Sequence, residues 1–218
     1  MTQGPLAAER EAVASAWTVL STAYGRLPEP AFVEALRSAG QLASWPYDDP
    51  VSSEGKELLV RSGRRAAAGE PEEQLEALVS DHRRLFVGPR PLLAAPWESV
   101  HRSREGLVFE AETIQVRQAY RRFGLQAPEL NKEPDDHIAL EASFVATLAV
   151  RALDAGAAGD DATADELDAA IGDFVRDHLG VWLPTFLDRV QEHARTDYHR
   201  GMGCLTAGAL AHLRARWP

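Results

Sequence analysis

The chain has 218 residues, 45% of them hydrophobic, with a formal net charge of −10 and an isoelectric point near 5.2. This acidity argues against a nucleic-acid-binding protein, because phosphates require a basic face. The single cysteine, Cys204, excludes an internal disulfide and a cysteine-based zinc site. The sequence shows neither a signal-peptide pattern nor an apolar run of the ~20 residues that cross a bilayer, so we expect a cytoplasmic protein.

Apolar residues recur every three or four positions through the first half of the chain, which predicts amphipathic helices. Such stripes occupy residues 13–24, 30–42 and 71–88. The third stripe opens with a proline and two glutamates, which favour a first helical turn, and closes at Gly88, a helix-ending residue.

The segment 88–106 is rich in proline and has no helical period. Long loops of this kind are often functional, so we expect this one to contribute to a site. Helical periodicity resumes at 112–123 and stops at Gly124.

The second half opens with the stretch NKEPDDHIALEASF, residues 131–144. Pro134 suits the first helical position, and Asp135 and Asp136 suit the first turn, where the helix dipole favours negative charge. Farther on, Thr163 and Glu166 have the spacing of a capping box, and two more helices follow.

No alternating strand pattern and no internal repeat are found, so the sequence predicts an all-α fold of roughly nine or ten helices. We expect one bundle-like domain over residues 1–218. Pro128 and Pro134 bracket a predicted hinge at 124–134 between its N-terminal and C-terminal parts.

Catalytic motifs are missing: the sequence contains no phosphate-binding loop, no G-x-S-x-G and no H-E-x-x-H. His137 and Glu141 are four residues apart, so they face one side of a helix. Either they share a metal ion, or Glu141 only orients or neutralises the histidine. With Asp136, the pair defines an alternative function, a nucleotide- or metal-binding protein with slow hydrolytic or metal-transfer activity. We predict instead a protein that is not an enzyme, has no cofactor or metal, and buries Cys204 among small apolar residues.

Three stretches, in this order, resemble the TorD/DmsD/NarJ family of cytoplasmic maturation chaperones for molybdenum-cofactor oxidoreductases. They are RLFVGPRPLLAAPWESVH, LVFEAETIQVRQAYRRFGL and EPDDHIALEASFVATLA. The motifs L-F-x-G-P, P-W and E-P-x-D-H are specific as a set, and the resemblance covers essentially the whole chain.

The resemblance implies an all-helical, client-specific chaperone that binds the twin-arginine signal peptide and the apo-form of a molybdopterin oxidoreductase. Such a chaperone assists cofactor insertion and proofreading before export, as a monomer or a domain-swapped dimer. The client and any guanine-nucleotide binding stay open, as does a third interpretation, a structural subunit of a mature complex. Some relatives carry tryptophan where this chain has His82 and Arg90, so the resemblance does not by itself imply an aromatic pocket there.

A twin-arginine signal peptide presents two arginines followed by an apolar segment, so its receptor requires carboxylates beside an apolar groove. Asp135 and Asp136 are predicted to pair with the arginines, the alternative being that they only start the helix. Trp97 either contacts the peptide or fills the core, His137 is either pH-sensitive or a hinge-fixing hydrogen-bonding residue, and Leu92 and Leu93 join the apolar wall. We therefore predict a signal-peptide-binding site formed by Leu85, Phe86, Trp97, Glu98, Glu133, Pro134, Asp135, Asp136 and His137.

Overall fold

The computed structural model describes residues 4–68, 71–88, 92–103, 105–128 and 134–217. Within these ranges the chain forms eleven α-helices, nine of them with eight or more residues, and no strand. This confirms the all-α prediction. In the same ranges, no helix combines the length and the hydropathy that a membrane span requires. The helices are α1 (Pro5–Gly25), α2 (Pro30–Arg37), α3 (Ala39–Ala43), α4 (Pro50–Ala67), α5 (Pro71–His82), α6 (Glu98–Arg102), α7 (Ala111–Arg122), α8 (Ile138–Ala157), α9 (Asp161–Phe174), α10 (Gly180–His193) and α11 (Asp197–Arg216).

The core forms where the long helices pack in pairs: α8 lies along α1 and α9, and α11 lies along α4 and α10. The predicted stripe of α1 faces this core, with Val13, Trp17 and Leu20 fully buried. Helix α8 contributes Val145 and Leu148, which are also fully buried. Burial of these large apolar side chains is the main source of the stability of the fold.

The glycine-rich segment of α11, residues 201–208, lets α4 approach closely. A Cβ atom added at Gly55 would lie only 2.9 Å from the carbonyl oxygen of Gly201, so both glycines are required for this contact. Cys204 is buried at the same interface, as predicted, and burial raises the pKa of its thiol to about 11. Helix packing therefore explains these residues without a phosphate-binding or nucleophilic role.

Helix α5 ends in a π-helical turn at Arg83–Val87. Gly88 then adopts a φ of 112°, and its N–H donates to the carbonyl oxygen of Arg83 at 2.9 Å. This confirms Gly88 as the helix stop, because a positive φ is accessible to glycine at little cost.

The start of α8 differs from the prediction. The helix begins at Ile138, and the Nδ1 atom of His137 caps it by accepting from the N–H of Ala139 at 3.1 Å. Pro134 lies in the turn before the cap, so its assignment to the first helical position was wrong. The histidine side chain supplies the capping acceptor, which leaves the proline and both aspartates outside the helix.

The predicted capping box of α9 is also wrong. Asp160 is the N-cap residue, and its carboxylate accepts from the N–H of Thr163 at 3.1 Å. Thr163 therefore lies at the N3 position, where the prediction had made it the N-cap residue with Glu166 at N3.

The predicted hinge at 124–134 stays a prediction, as does the division of the chain around it. Gly124, with a φ of 68°, ends α7, and Leu125 donates its N–H to the carbonyl oxygen of Tyr120 at 2.9 Å. Residues 129–133 lie outside the described part of the chain.

Candidate functional site

Two of the predicted motifs meet in space. The N–H of Ile138 donates to the carbonyl oxygen of Pro96 at 2.9 Å, and the N–H of Glu98 donates to that of Asp136 at 3.0 Å. Trp97 and His137 face each other between these two bonds as an isolated antiparallel bridge, with their rings 5.9 Å apart. We call residues 96–99 and 135–138 the junction.

The carboxylate of Asp136 holds the junction together. Its Oδ2 accepts from the N–H of Ser99 at 2.7 Å, and its Oδ1 accepts from the hydroxyl of Thr113 at 2.7 Å. The residue is fully buried. One side chain therefore ties the start of α6, the start of α7 and the turn before α8 to one another.

Asp135 forms an internal ion pair. Its Oδ2 accepts from Nη2 of Arg117 at 2.7 Å and from Nε at 3.1 Å, and its backbone carbonyl accepts from the hydroxyl of Tyr120 at 3.0 Å. The aspartate is fully buried. Because both aspartates precede the N-cap, the alternative that they start the helix is wrong, and their direct contact with a peptide's arginines stays a prediction.

A cavity of about 300 Å³ opens beside the junction. Phe86, Trp97 and His137, which the sequence analysis assigned to peptide binding, line it. The tertiary structure adds further lining residues that the sequence analysis had not assigned to the site: Tyr24, Gly25, Arg26, Leu27, His82 and Val87. His82 occupies the wall and packs edge-on against Phe86, with the ring centroids 5.0 Å apart.

Other predicted site residues lie behind the cavity. Leu85 is fully buried in the core, and its carbonyl oxygen accepts from the N–H of Ala94 at 3.0 Å. Glu98 and Pro134 are also buried, whereas Leu92 and Leu93 are partly buried and do not line this cavity. Glu133 and Arg90 lie outside the described residues.

The lining residues from the end of α1 were missed because only tertiary packing brings them to the site. The hydroxyl of Ser21 donates to the carbonyl oxygen of Ala139 at 2.8 Å. A Cβ added at Gly25 would lie 3.1 Å from the Cβ of Ala139, so the end of α1 lies close against the start of α8. In the sequence, Gly25 indicates only that a helix ends.

The histidines of the cavity are neutral at neutral pH. Burial lowers the pKa of His137 to about 4, and burial together with the neighbouring His199 and His137 lowers that of His82 to about 4. The Nδ1 atom of His82 is sealed from solvent without a partner among the described residues. Among the described lining residues, Arg26 is thus the one with a permanent charge.

We therefore expect His82 and His137 to stay uncharged down to about pH 5, one unit above their titration. Nitrogen chemical shifts of the imidazoles, followed by NMR from neutral to acidic pH, measure this directly. The variants His82→Gln and His137→Asn assign the two signals, and asparagine keeps the helix cap. Titration of either ring near its ordinary value of 6.5 would contradict the buried, neutral site.

A cluster of buried acids lies beneath the junction. Glu98 accepts a hydrogen bond from Arg102 and contacts Nδ1 of His178 at 2.8 Å, while Glu141 accepts from the indole N–H of Trp182 at 3.1 Å. Burial, together with the nearby charges of Glu98 and Asp136, raises the pKa of Glu141 well above its ordinary value.

The alternative of a shared metal ion receives no geometric support from this cluster. Glu141 bonds to Trp182, and Nδ1 of His137 is occupied by the cap of α8. Among the described residues, no group of three or more His, Cys, Asp or Glu side chains has an arrangement that holds a metal ion.

Comparison with known proteins decides the family. Residues 51–188 match the family model described as nitrate reductase delta subunit. The chain belongs to this family. The match confirms the resemblance carried by the motifs, and it includes His82, Phe86, Trp97 and His137 but not the end of α1.

Proteins that are similar to this chain include some whose names describe them as chaperones. The chain is 30% identical to the Tat proofreading chaperone DmsD of Salmonella typhi over 184 residues. The matched region covers 84% of this chain and 78% of that protein. It is 31% identical over 142 residues to the chaperone protein TorD of Vibrio cholerae serotype O1 (strain ATCC 39541), covering 65% and 61%. The family assignment thus places the chain among chaperones rather than catalysts.

Proposed function

We propose that the chain is a maturation chaperone that binds the twin-arginine signal peptide and the apo-form of a molybdopterin-dependent oxidoreductase in the cytoplasm. The names of its relatives, Tat proofreading chaperone and chaperone protein TorD, support this role. The observation that carries it is the cavity at the junction, where the family motifs meet. A protein of this kind holds its client until the cofactor is inserted and then releases it for export.

The cavity suits the apolar segment of the peptide better than its arginines. Aromatic rings of Tyr24, Phe86 and Trp97 line it, and its described lining contains no carboxylate. Apolar side chains gain free energy when they leave water for such a surface, whereas a guanidinium would meet Arg26 and two neutral imidazoles. The arginines therefore bind outside this cavity.

In this proposal Asp135 and Asp136 act as positioning residues. Asp136 fixes the segment that carries Trp97, through Ser99. Asp135, through Arg117, fixes the turn that carries His137. Direct pairing with the peptide would require these carboxylates to leave their internal partners, which costs free energy at a buried site.

The client is found by affinity capture from the native cell extract, followed by mass spectrometry of the bound protein. The expected result is a molybdopterin-dependent oxidoreductase subunit that carries its twin-arginine signal peptide. Calorimetry with the synthetic signal peptide of that subunit then measures the affinity. Failure of the peptide to bind would overturn the proposed function.

Replacing Trp97 by alanine should weaken peptide binding by about tenfold or more, because a central aromatic residue of an interface often contributes over 1.4 kcal/mol. The indole N–H has no partner among the described residues, so its removal strands no hydrogen-bond acceptor. Calorimetry with the same peptide measures the loss. The matched control is Phe109→Ala, an exposed aromatic residue that does not line the cavity. Equal losses in the two variants would place the peptide elsewhere.

A further inference from the structure

A second and larger cavity lies on the surface formed by α2, α4 and α5. Its volume is about 640 Å³, roughly twice that of the cavity at the junction. The floor is apolar and is formed mainly by Val33, Val60, Ala66, Leu75 and Leu78, with Ala67 at the exposed edge. We call it the α2–α5 groove. It shares α5 with the cavity at the junction but has no lining residue in common with it.

The groove contains an arginine that has no carboxylate within ion-pair distance among the described residues. Arg37 lines it, and one guanidinium nitrogen donates to the hydroxyl of Ser62 at 2.9 Å. The Nε atom is sealed from solvent and has no partner among the described residues. Burial lowers the pKa of Arg37, and the charge of Glu34 at the rim offsets only part of this effect.

Three other partly or fully buried arginines of the described chain are neutralised by ion pairs. Arg10 pairs with Asp168 at 2.9 Å, Arg84 pairs with Asp81 at 2.8 Å, and Arg117 pairs with Asp135 at 2.7 Å. A guanidinium that leaves water without a carboxylate costs free energy, and these three avoid that cost. Arg37 has no such ion pair with a described residue, and it lines the α2–α5 groove.

The rim of the groove carries both signs of charge. Glu34, Arg64 and Glu72 are exposed and line its edge. A fatty acid or other small carboxylate would match only the arginine. An amphipathic helix carries acidic and basic residues beside its apolar stripe, so it matches both signs of the rim.

We propose that the α2–α5 groove binds an amphipathic helix that carries one carboxylate within its apolar face. Apolar residues at positions i, i+3 or i+4, and i+7 fill the floor, and the carboxylate forms a charge-assisted hydrogen bond with the guanidinium of Arg37. The helix belongs to the body of the client rather than to its signal peptide, an assignment that rests on the proposed function. The chaperone then contacts its client at two separate sites.

The test begins with a displayed library of helical peptides of about 14 residues, four turns, selected on the complete chain. Selected peptides should carry Asp or Glu within the apolar stripe. Arg37→Gln should weaken their binding by about tenfold or more, since a charge-assisted hydrogen bond is lost. Glutamine keeps a donor for Ser62, and circular dichroism verifies the fold.

Charge reversal gives the decisive comparison. Arg37→Glu should abolish binding of the selected peptide, and exchange of the peptide's carboxylate for arginine should restore it. Arg26→Gln, which alters the other cavity, should leave binding unchanged. If the Arg37 variants do not fold, Ala67→Trp fills the groove from its exposed edge and should block the peptide.

Several outcomes would overturn the inference. They are selected peptides without an acidic residue, equal binding to wild type and Arg37→Gln, displacement of the peptide by dodecanoate at equal concentration, and self-association of the chain that depends on Arg37. The proposed function is tested separately, because binding of the signal peptide depends on Trp97. A chain that binds the signal peptide normally but selects no acidic helix retains the proposed function and loses this site.

Discussion

Replacing Asp136 by alanine is expected to lower the free energy of unfolding by about 4 kcal/mol. Two buried donors lose their charged acceptor, and each donor left without a partner costs about 1–3 kcal/mol. The donors are the N–H of Ser99 and the hydroxyl of Thr113. Urea unfolding near neutral pH measures the change. The loss is specific to this aspartate because it joins three segments that are separate in the sequence.

Asparagine at the same position separates hydrogen bonding from charge. Its oxygen can still accept from Ser99, and its amide can face the oxygen of Thr113, so Asp136→Asn should lose only about half as much as the alanine variant. Equal losses in the two variants would show that the hydrogen bonds are not the cause.

A double variant, Asp135→Asn with Asp136→Asn, tests whether the aspartates contact the peptide directly. Exchange of the peptide's two arginines for glutamine should cost the same affinity in wild type and in the variant Asp135→Asn with Asp136→Asn. Additivity is expected because both carboxylates are buried and bonded to Arg117, Ser99 and Thr113. Calorimetry on the four combinations measures the coupling. A strong coupling would show that the aspartates leave their internal partners to bind the arginines, as the sequence analysis had predicted.

Replacing Glu141 by glutamine is expected to stabilise the protein near neutral pH. Burial and the charges of Glu98 and Asp136 raise the pKa of Glu141 well above its ordinary value of 4.5. The folded chain therefore retains a proton that the unfolded chain releases, so stability falls as pH rises from 4.5 through the folded pKa. Glutamine imitates the protonated acid and removes this loss.

The size of the gain should increase with pH. The free energy of unfolding of the wild type falls by about 1.4 kcal/mol per pH unit between the unfolded and the folded pKa of Glu141. Urea unfolding of both proteins at two pH values, one near 5 and one near 7.5, measures it, and the two stabilities should converge at the acidic end. Glu73→Gln, an exposed residue of α5, is the control and should show no such trend. Destabilisation by Glu141→Gln at both pH values would mean that Glu141 is ionised in the folded protein.

Local pattern alone predicted the fold class and the family resemblance. The stripe of Val13, Trp17 and Leu20 predicted a helix with a buried face, and that face is fully buried. Gly88 predicted a helix stop that its positive φ confirms. These features depend on backbone geometry and on periodicity within a few turns, and both are properties of short segments. The motifs of the family were likewise readable, because they are contiguous in the chain.

Only the tertiary structure decided which way the charges of the site face. The sequence placed Asp135 and Asp136 beside a future groove, but not their partners, Arg117 at 18 residues and Ser99 at 37 residues away. The missed wall at Tyr24–Leu27 likewise depends on the packing of α1 on α8. A carboxylate near a helix start has the same local sequence whether it binds a ligand or its own chain. The difference is set by long-range contacts, because a buried carboxylate without a partner from its own chain would cost free energy.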